Sequence, residues 1–302
     1  MNKRNIYILI VISILILTGC KMENIIDNKK QSDNNNIEIP KRGDYLEYSE
    51  ILSKKEYKTP KSITGIEEEQ LFQTDTNLKW IIISNESGVI RAIADKNIVD
   101  SQEKGLGLNN ESAYISAPGV LNVLSNTLYS TKYATARSVK VSDIVDLMKK
   151  KSSLKNKANK YQLKFTNGTF YKDGIFKEAT TKNPIIVKSN YYNYSLKDNI
   201  ELENIIIEEA MNNKSSKYNK YQYWLADSGI EVHKEKKPYV IYGIHKMTED
   251  KIILHSIIKQ DEKNRSTQET YYLGVRPIIE IKNTVQLQKV ENESKNIWKI
   301  KK

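Results

Sequence analysis

Apolar positions along this chain change their period several times, and each change marks an element. Ile6 through Leu17 is apolar except for Ser13, and residues 21 to 41 are then polar with no sustained apolar period, the composition of a disordered tether. From Gly43, Tyr45 alternates with Glu47 and Leu46 with Tyr48, which predicts a strand where folded structure begins. Leu78 to Ile83 is nearly continuous in apolar and β-branched residues. Polar residues 84 to 88 read as a turn and Val89 to Ala94 as the returning strand of a hairpin. Pro118 suits the first turn of a helix carrying Val120, Val123, Leu124 and Leu128 at helical spacing. A second helix starts at Val141 or Ser142, with Asp143 and Asp146 early, Ile144, Leu147 and Met148 on one face, and Lys149 to Lys151 at its end.

Further along, Asn167-Gly168 predicts a small hairpin over 165–171, and Leu202, Ile205, Ile206 and Ala210 predict a helix over 199–211. The carboxyl half reads as strand-rich, with runs at 223–226, 239–244, 252–258 and 271–281; the charged tail from Asn283 is expected to fray. The glycines of Lys104-Gly105-Leu106-Gly107-Leu108 read as a loop. The pattern predicts an α+β fold, with two or three helices packed on a mixed or antiparallel sheet and long loops. Residues 78–83 and 273–281 are the most apolar strand-like runs, and burying both in one sheet would close the core.

The amino end carries an address. Lys3 and Arg4 precede the apolar stretch, which is too short to span a bilayer, and Leu17-Thr18-Gly19-Cys20 follows it. This resembles the lipobox of bacterial lipoproteins, and the resemblance implies a diacylglyceryl group on the Cys20 sulfur and cleavage before it. An uncleaved transmembrane anchor or a buried helix is the alternative, and either would leave a cysteine at this boundary unexplained. Two acyl chains on one sulfur hold a protein stably on a membrane. The organisation read from this is a signal peptide at 1–19, a lipidated cysteine and tether at 20–42, a globular ectodomain at 43–282 and a charged tail at 283–302. The expected location is the extracytoplasmic face of the cell membrane, reached through the lipid. A tether of about 20 residues lifts the domain roughly 25 Å.

Cys20 is the single cysteine, so the mature chain has no thiol for a disulfide or for nucleophilic catalysis and must be stabilised by its core. That suggests a Gram-positive type of envelope. The formal charge of +11 falls to +9 once Lys3 and Arg4 leave, a balance that suits anionic wall polymers, acidic lipid headgroups or nucleic acid. The joint abundance of Lys, Asn and Ile reads more simply as the composition of an AT-rich coding sequence. Only Arg4, Arg42, Arg91, Arg137, Arg265 and Arg276 are arginines. Nucleic-acid readers depend on arginine forks, and no nucleic-acid module is spelled out, so nucleic acid is not an expected partner.

Gly43-Asp44-Tyr45, the strand at Trp80, Leu121-Asn122 with Leu128-Tyr129, Ala136-Arg137-Ser138-Val139 with Ser142-Asp143-Ile144, Tyr223-Trp224-Leu225-Ala226 and Gly274-Val275-Arg276-Pro277 occur in this order. The series resembles an uncharacterised group of Gram-positive surface and phage-associated proteins over residues 43 to 281. Its closing Tyr-Trp and Gly-Val-Arg-Pro strands resemble the end of C-type-lectin-like and formylglycine-generating-enzyme-like folds. The Glu-Pro-Asn and Trp-Asn-Asp tripeptides of calcium-dependent lectins are absent, and the enzyme's cysteines have no counterpart beyond Cys20. The resemblance therefore implies a fold and neither chemistry.

Candidate chemistry is sparse. His233, His245 and His255 stand at no recognised zinc spacing, and no Gly-x-Ser-x-Gly elbow, phosphate loop or dinucleotide fingerprint occurs, so neither a metal nor a cofactor is expected. The carboxylate pairs Glu208 with Glu209 and Asp143 with Asp146 read as helix-surface residues. Arg276 lies within an apolar strand and Arg137 between Ala136 and Ser138, so both are expected to find structural partners. The 19 tyrosines are a surplus. Tyr221, Tyr223 and Trp224, or the loop at 101–117, are the candidate surface for a cell-wall polymer, glycan or protein partner. A non-catalytic binding domain is the expected function, and an extracytoplasmic envelope enzyme is the alternative.

Overall fold

The alternation that opens the folded region is strand β1 (Tyr45–Glu47), followed by β2 (Glu56–Lys58) and β3 (Leu71–Gln73). The computed structural model describes residues 38–109, 112–147, 156–172, 174–192, 222–230, 239–248, 251–256, 270–290 and 296–302. The expected signal peptide, Cys20, most of the expected tether, Met148 to Lys151, the helix expected at 199–211, Tyr221 and His233 lie outside them.

The long apolar run and its return are β4 (Trp80–Glu86) and β5 (Val89–Ala94). Glu86 pairs with Val89, so only Ser87 and Gly88 turn the chain, with φ of 53° and 76°. That left-handed pair matches the twist of two-residue hairpins, and the strand runs on through residues 84–86, where polarity alone suggested a turn. Then come β6 (Leu106–Asn109), α1 (Ser116–Tyr129), β7 (Ala134–Ser138) and α2 (Val141–Asp146). They are followed by β8 (Asn156–Phe165), β9 (Gly168–Lys172), β10 (Ile175–Ala179) and β11 (Ile185–Tyr192). The remaining strands are β12 (Tyr223–Ile230), β13 (Tyr239–Thr248), β14 (Lys251–Ser256), β15 (Thr270–Val275), β16 (Pro277–Ile281), β17 (Leu287–Lys289) and β18 (Ile297–Ile300).

The fold is α+β, with both mixed and antiparallel sheets. A seven-stranded sheet has the order β17-β18-β1-β4-β5-β16-β7, and a five-stranded sheet the order β14-β13-β12-β15-β6. The pairs β1/β18 and β12/β15 are parallel and their other ladders antiparallel. Helix α1 packs against β7 and β16 of the larger sheet and β12 of the smaller. Its residues Val120, Leu121, Leu124 and Leu128 are fully buried with Ile82, Ala92, Ala136 and Ile279. Ile81, Ile93 and Ile278 are in register across the opposite face of the larger sheet and are buried too. Covering both faces explains why residues 78–83 carry no polar alternation.

Four expectations change. First, the apolar run 271–281 is two strands that meet at Arg276. Pro277 has no N–H for a continuous ladder, which suits it to the first position of a strand. Here the chain leaves the smaller sheet and enters the larger, so only 277–281 shares a sheet with 78–83. Second, residues 165–171 are not a hairpin. Phe165 pairs with Ile185 and Phe170 with Lys177, so Asn167-Gly168 joins two different ladders. Third, Leu106 to Leu108 is strand, not loop. A Cβ on Gly105 would fall on the Leu273 carbonyl, and one on Gly107 would lie 2.6 Å from the Tyr272 ring. The glycines serve close strand approach. Fourth, the tail expected to fray from Asn283 carries β17 and β18, and Trp298 is 4% exposed and donates from Nε1 to Asp44 Oδ2 at 2.8 Å.

The β7 edge of the larger sheet is covered by polar groups from α1 and its exit turn. Asn122 Oδ1 accepts from the Ser138 N–H at 3.2 Å, Asn126 Nδ2 donates to the Ala136 carbonyl at 3.2 Å, and Ser130 Oγ accepts from the Ala136 N–H at 2.8 Å. Spacing of four residues puts these groups on one helix face, and the backbone edge that would template another strand is thereby satisfied.

Candidate functional site

Three loci gather polar chemistry: a charged row on the larger sheet, the junction at Arg276, and a cleft beside the amino end of α1. The charged row follows from sheet register. Arg91 pairs with Glu280 across β5/β16, and Glu280 with Thr135 across β16/β7, which places Arg137 two residues on along the same face. Glu280 Oε1 accepts from Arg91 Nε at 3.1 Å and from Arg137 Nε and Nη2 at 3.2 Å each. Arg137 also makes a bidentate pair with Asp143, at 2.6 and 2.7 Å. Asp143 Oδ2 accepts the Lys140 N–H at 2.7 Å as well, closing the first turn of α2.

Asp143 is therefore 7% exposed and paired, which corrects its reading as a helix-surface carboxylate; Asp146 is exposed. Burial pulls the Arg137 guanidinium down, but its bonds to Asp143 and Glu280 outweigh this and hold it above its usual range. Nearby, Asp227 Oδ2 accepts the Val141 N–H at 2.6 Å, tying β12 to α2. Burial raises the Asp227 carboxyl above its usual range, helped by Asp143 and opposed by the Val141 N–H, Lys140 and Arg137.

Arg276 is 2% exposed. Nε donates to the Ala94 carbonyl at 2.9 Å and Nη2 to the Asp95 carbonyl at 3.0 Å, while its guanidinium carbon lies 5.3 Å from the Tyr223 ring centroid. Burial drives the Tyr223 hydroxyl well above its ordinary range, with Arg276 opposing the shift. Both arginines thus have the structural partners expected of them.

Tyr223 is fully buried and Trp224 1% exposed, so they do not form the aromatic surface predicted for them. Trp224 Nε1 donates to the Leu106 carbonyl at 2.8 Å, which anchors the ring in the core. The 101–117 stretch is likewise largely internal from Gly105 onward, since β6 and the start of α1 run through it. His245 and His255 lie on β13 and β14. Among the described residues, no group of three or more His, Cys, Asp and Glu side chains could hold a metal ion.

The cleft has a volume of about 390 Å³ and lies between α1, the β9–β10 hairpin, β11 and β12. Tyr114, Ile115, Asn122 and Val123 line one side, and Tyr171, Lys172, Val187 and Ser228 the other. Gly119 permits the close approach of helix and hairpin, because a Cβ there would lie 2.8 Å from the Tyr171 ring. Tyr171 is fixed by its N–H bond to Ser116 Oγ at 3.2 Å and by an edge contact with Phe176 at 5.1 Å. Asn122 Oδ1 is engaged by Ser138, leaving the amide NH₂ as its donor. Among the described residues the lining offers aromatic faces, an amide, hydroxyls and an ammonium, and no carboxylate. Tyr114 and Ile115 belong to the 101–117 stretch that the sequence offered as a candidate surface, whereas Lys172, Val187 and Ser228 were not singled out, although a glycine inside a strong helical period at 119 is a signal of close packing. Comparison of the chain with protein-family models, with curated proteins and with solved structures finds no match.

Proposed function

We propose that this chain is a lipoprotein held on the extracytoplasmic face of the membrane through Cys20, and that its domain binds a wall glycan in the cleft between α1 and the β9–β10 hairpin. The carrying observation is the cleft lining: Tyr171 and Tyr114 beside Asn122, Lys172 and Ser228. Tyrosine faces stack on sugar rings, while amide and hydroxyl groups match ring hydroxyls.

A binding role without catalysis is favoured by how the charged groups are used. Both Asp143 oxygens accept from Arg137, and Glu280 Oε1 is shared by Arg91 and Arg137. Carboxylates engaged this way hold strands and helix together. Two experiments test the two halves. A Cys20→Ala chain should lose incorporation of labelled fatty acid and processing at this site, and unchanged incorporation and processing would refute the anchor. Wild-type protein should sediment with purified cell walls at moderate salt, whereas Ser228→Trp, which fills the cleft, should not. Equal sedimentation of both would refute the cleft as the binding site, and complete loss of wild-type binding at moderate salt would leave only charge adhesion.

A further inference from the structure

We infer that Phe176 is an outer subsite of the cleft, and that the ligand is a run of several sugar rings leaving the cleft over the β9–β10 hairpin instead of a single terminal sugar. This rests on the cleft being the glycan site. Phe176 is 54% exposed and is the one aromatic among the prominently exposed apolar side chains of the described residues. Strand register says where it stands. Phe176 pairs with Tyr171, and cross-strand partners share a face. Tyr171 lines the cleft, so the aromatic face of the hairpin continues from the cleft to Phe176, one strand further from α1. The two ring centroids are 5.1 Å apart and the planes are inclined at 64°. One flat sugar ring cannot lie against both planes, whereas successive rings of a glycan, spaced on that same scale, meet them in turn.

Size points the same way. The cleft volume of about 390 Å³ is near the low end of the roughly 300–1,000 Å³ of small-ligand sites, which is room for a short segment of a polysaccharide and not for its length. A wall polymer seated there must pass out of the cleft. Phe176 stands where such a chain crosses the hairpin, and it is held in advance. The Thr64 N–H donates to the Thr169 carbonyl at 2.8 Å, and the Tyr171 N–H to Ser116 Oγ at 3.2 Å, which pins β9 to the body of the domain. The Tyr171 ring then holds Phe176 by its edge contact, so little ordering is needed on binding. Ile186 supplies an internal control. It is 52% exposed but precedes Val187, which lines the cleft, and consecutive residues of a strand take opposite faces. Ile186 therefore faces away from the cleft and reports what a merely adhesive apolar surface would do.

The test titrates size-fractionated fragments of purified wall polysaccharide into the full chain by calorimetry. Wild-type affinity should rise with fragment length and then level off. Phe176→Ser should lower the affinity for long fragments about fivefold, the scale of one aromatic contact, and leave the shortest fragments that bind unchanged. Ile186→Ser should change neither, and Ser228→Trp should abolish binding at every length. With Ser228→Trp inactive, four results would each overturn the outer subsite and leave the cleft standing: wild-type affinity independent of length, no loss on Phe176→Ser, an equal loss at all lengths, or the same loss on Ile186→Ser. Binding retained by Ser228→Trp, or no binding of any fragment by wild type, would instead refute the cleft as the glycan site, and the subsite with it.

Discussion

Replacing Arg276 with alanine should destabilise the domain far more than replacing any surface arginine. Arg276 sits where the chain passes from β15 to β16, and its backbone is bonded to neighbours: its carbonyl accepts the Val139 N–H at 3.0 Å, and Val275 exchanges bonds with Ile98 at 2.7 and 3.0 Å. Its side chain supplies charge-assisted bonds to the carbonyls of Ala94 and Asp95. Each such bond contributes about 1.5–3 kcal/mol, and truncation leaves a buried carbonyl bare, so Arg276→Ala should cost about 3–6 kcal/mol. Loss of the Tyr223 ring contact adds roughly 1 kcal/mol. Arg276→Lys keeps the charge but has a single ammonium in place of the fork, and should fall near half that loss. Arg91→Ala is the control: with about a third of its side chain exposed, its ion pair is worth under about 1 kcal/mol. Equilibrium urea unfolding at neutral pH measures all three. If Arg276→Ala were no more costly than Arg91→Ala, the claim that this guanidinium fastens the two sheets together would fail.

Other expectations follow from the same geometry. Trp298→Ala removes a buried ring and its bond to Asp44, and should cost about 3–5 kcal/mol in thermal or urea unfolding; a negligible change would mean that β18 does not belong to the stable sheet. Asp227 has a raised carboxyl, so the folded state binds more protons than the unfolded one just above the ordinary carboxylate value, 3.8. Its favourable contribution is present below that value and is lost as pH rises through the folded value. Asp227→Asn keeps an oxygen for the Val141 N–H and should raise the melting temperature at neutral pH while flattening its dependence on pH in that acidic window; a lowered melting temperature would contradict the assignment.

Legibility in the sequence depended on how local the determining interactions are. The hairpin at β4/β5 and helix α1 could be read because their partners lie within a few residues and their periods are strong. The end of the chain could not, because β18 pairs with β1, and Ile297 meets Tyr45 from the far end of the sequence. Trp298 and Ile300 on either side of Lys299 did carry a period-two signal, though in a very short strand. Arg137 and Arg276 were legible as paired cations because a guanidinium among apolar neighbours needs acceptors, yet which groups accept, Asp143 on α2 and the Ala94 carbonyl on β5, emerges only from the fold. The tyrosine surplus pointed to Tyr223 and Trp224, which are buried, and through the 101–117 stretch to Tyr114, which does line the cleft. Tyr223 and Trp224 go inward, held by Arg276 and the Leu106 carbonyl, while Tyr114 and Tyr171 reach the cleft from separate elements. A site assembled from α1, a hairpin and two further strands leaves no contiguous motif.

Hydrogen exchange of the full chain, with and without purified wall polysaccharide, tests the binding account most directly. Backbone amides of residues 114–123 and 168–172 should exchange more slowly when the polysaccharide is present, and Ser228→Trp should remove that protection while leaving exchange in β4 and β5 unchanged. Protection confined to other segments, or none at saturating polysaccharide, would contradict the cleft as the site of recognition.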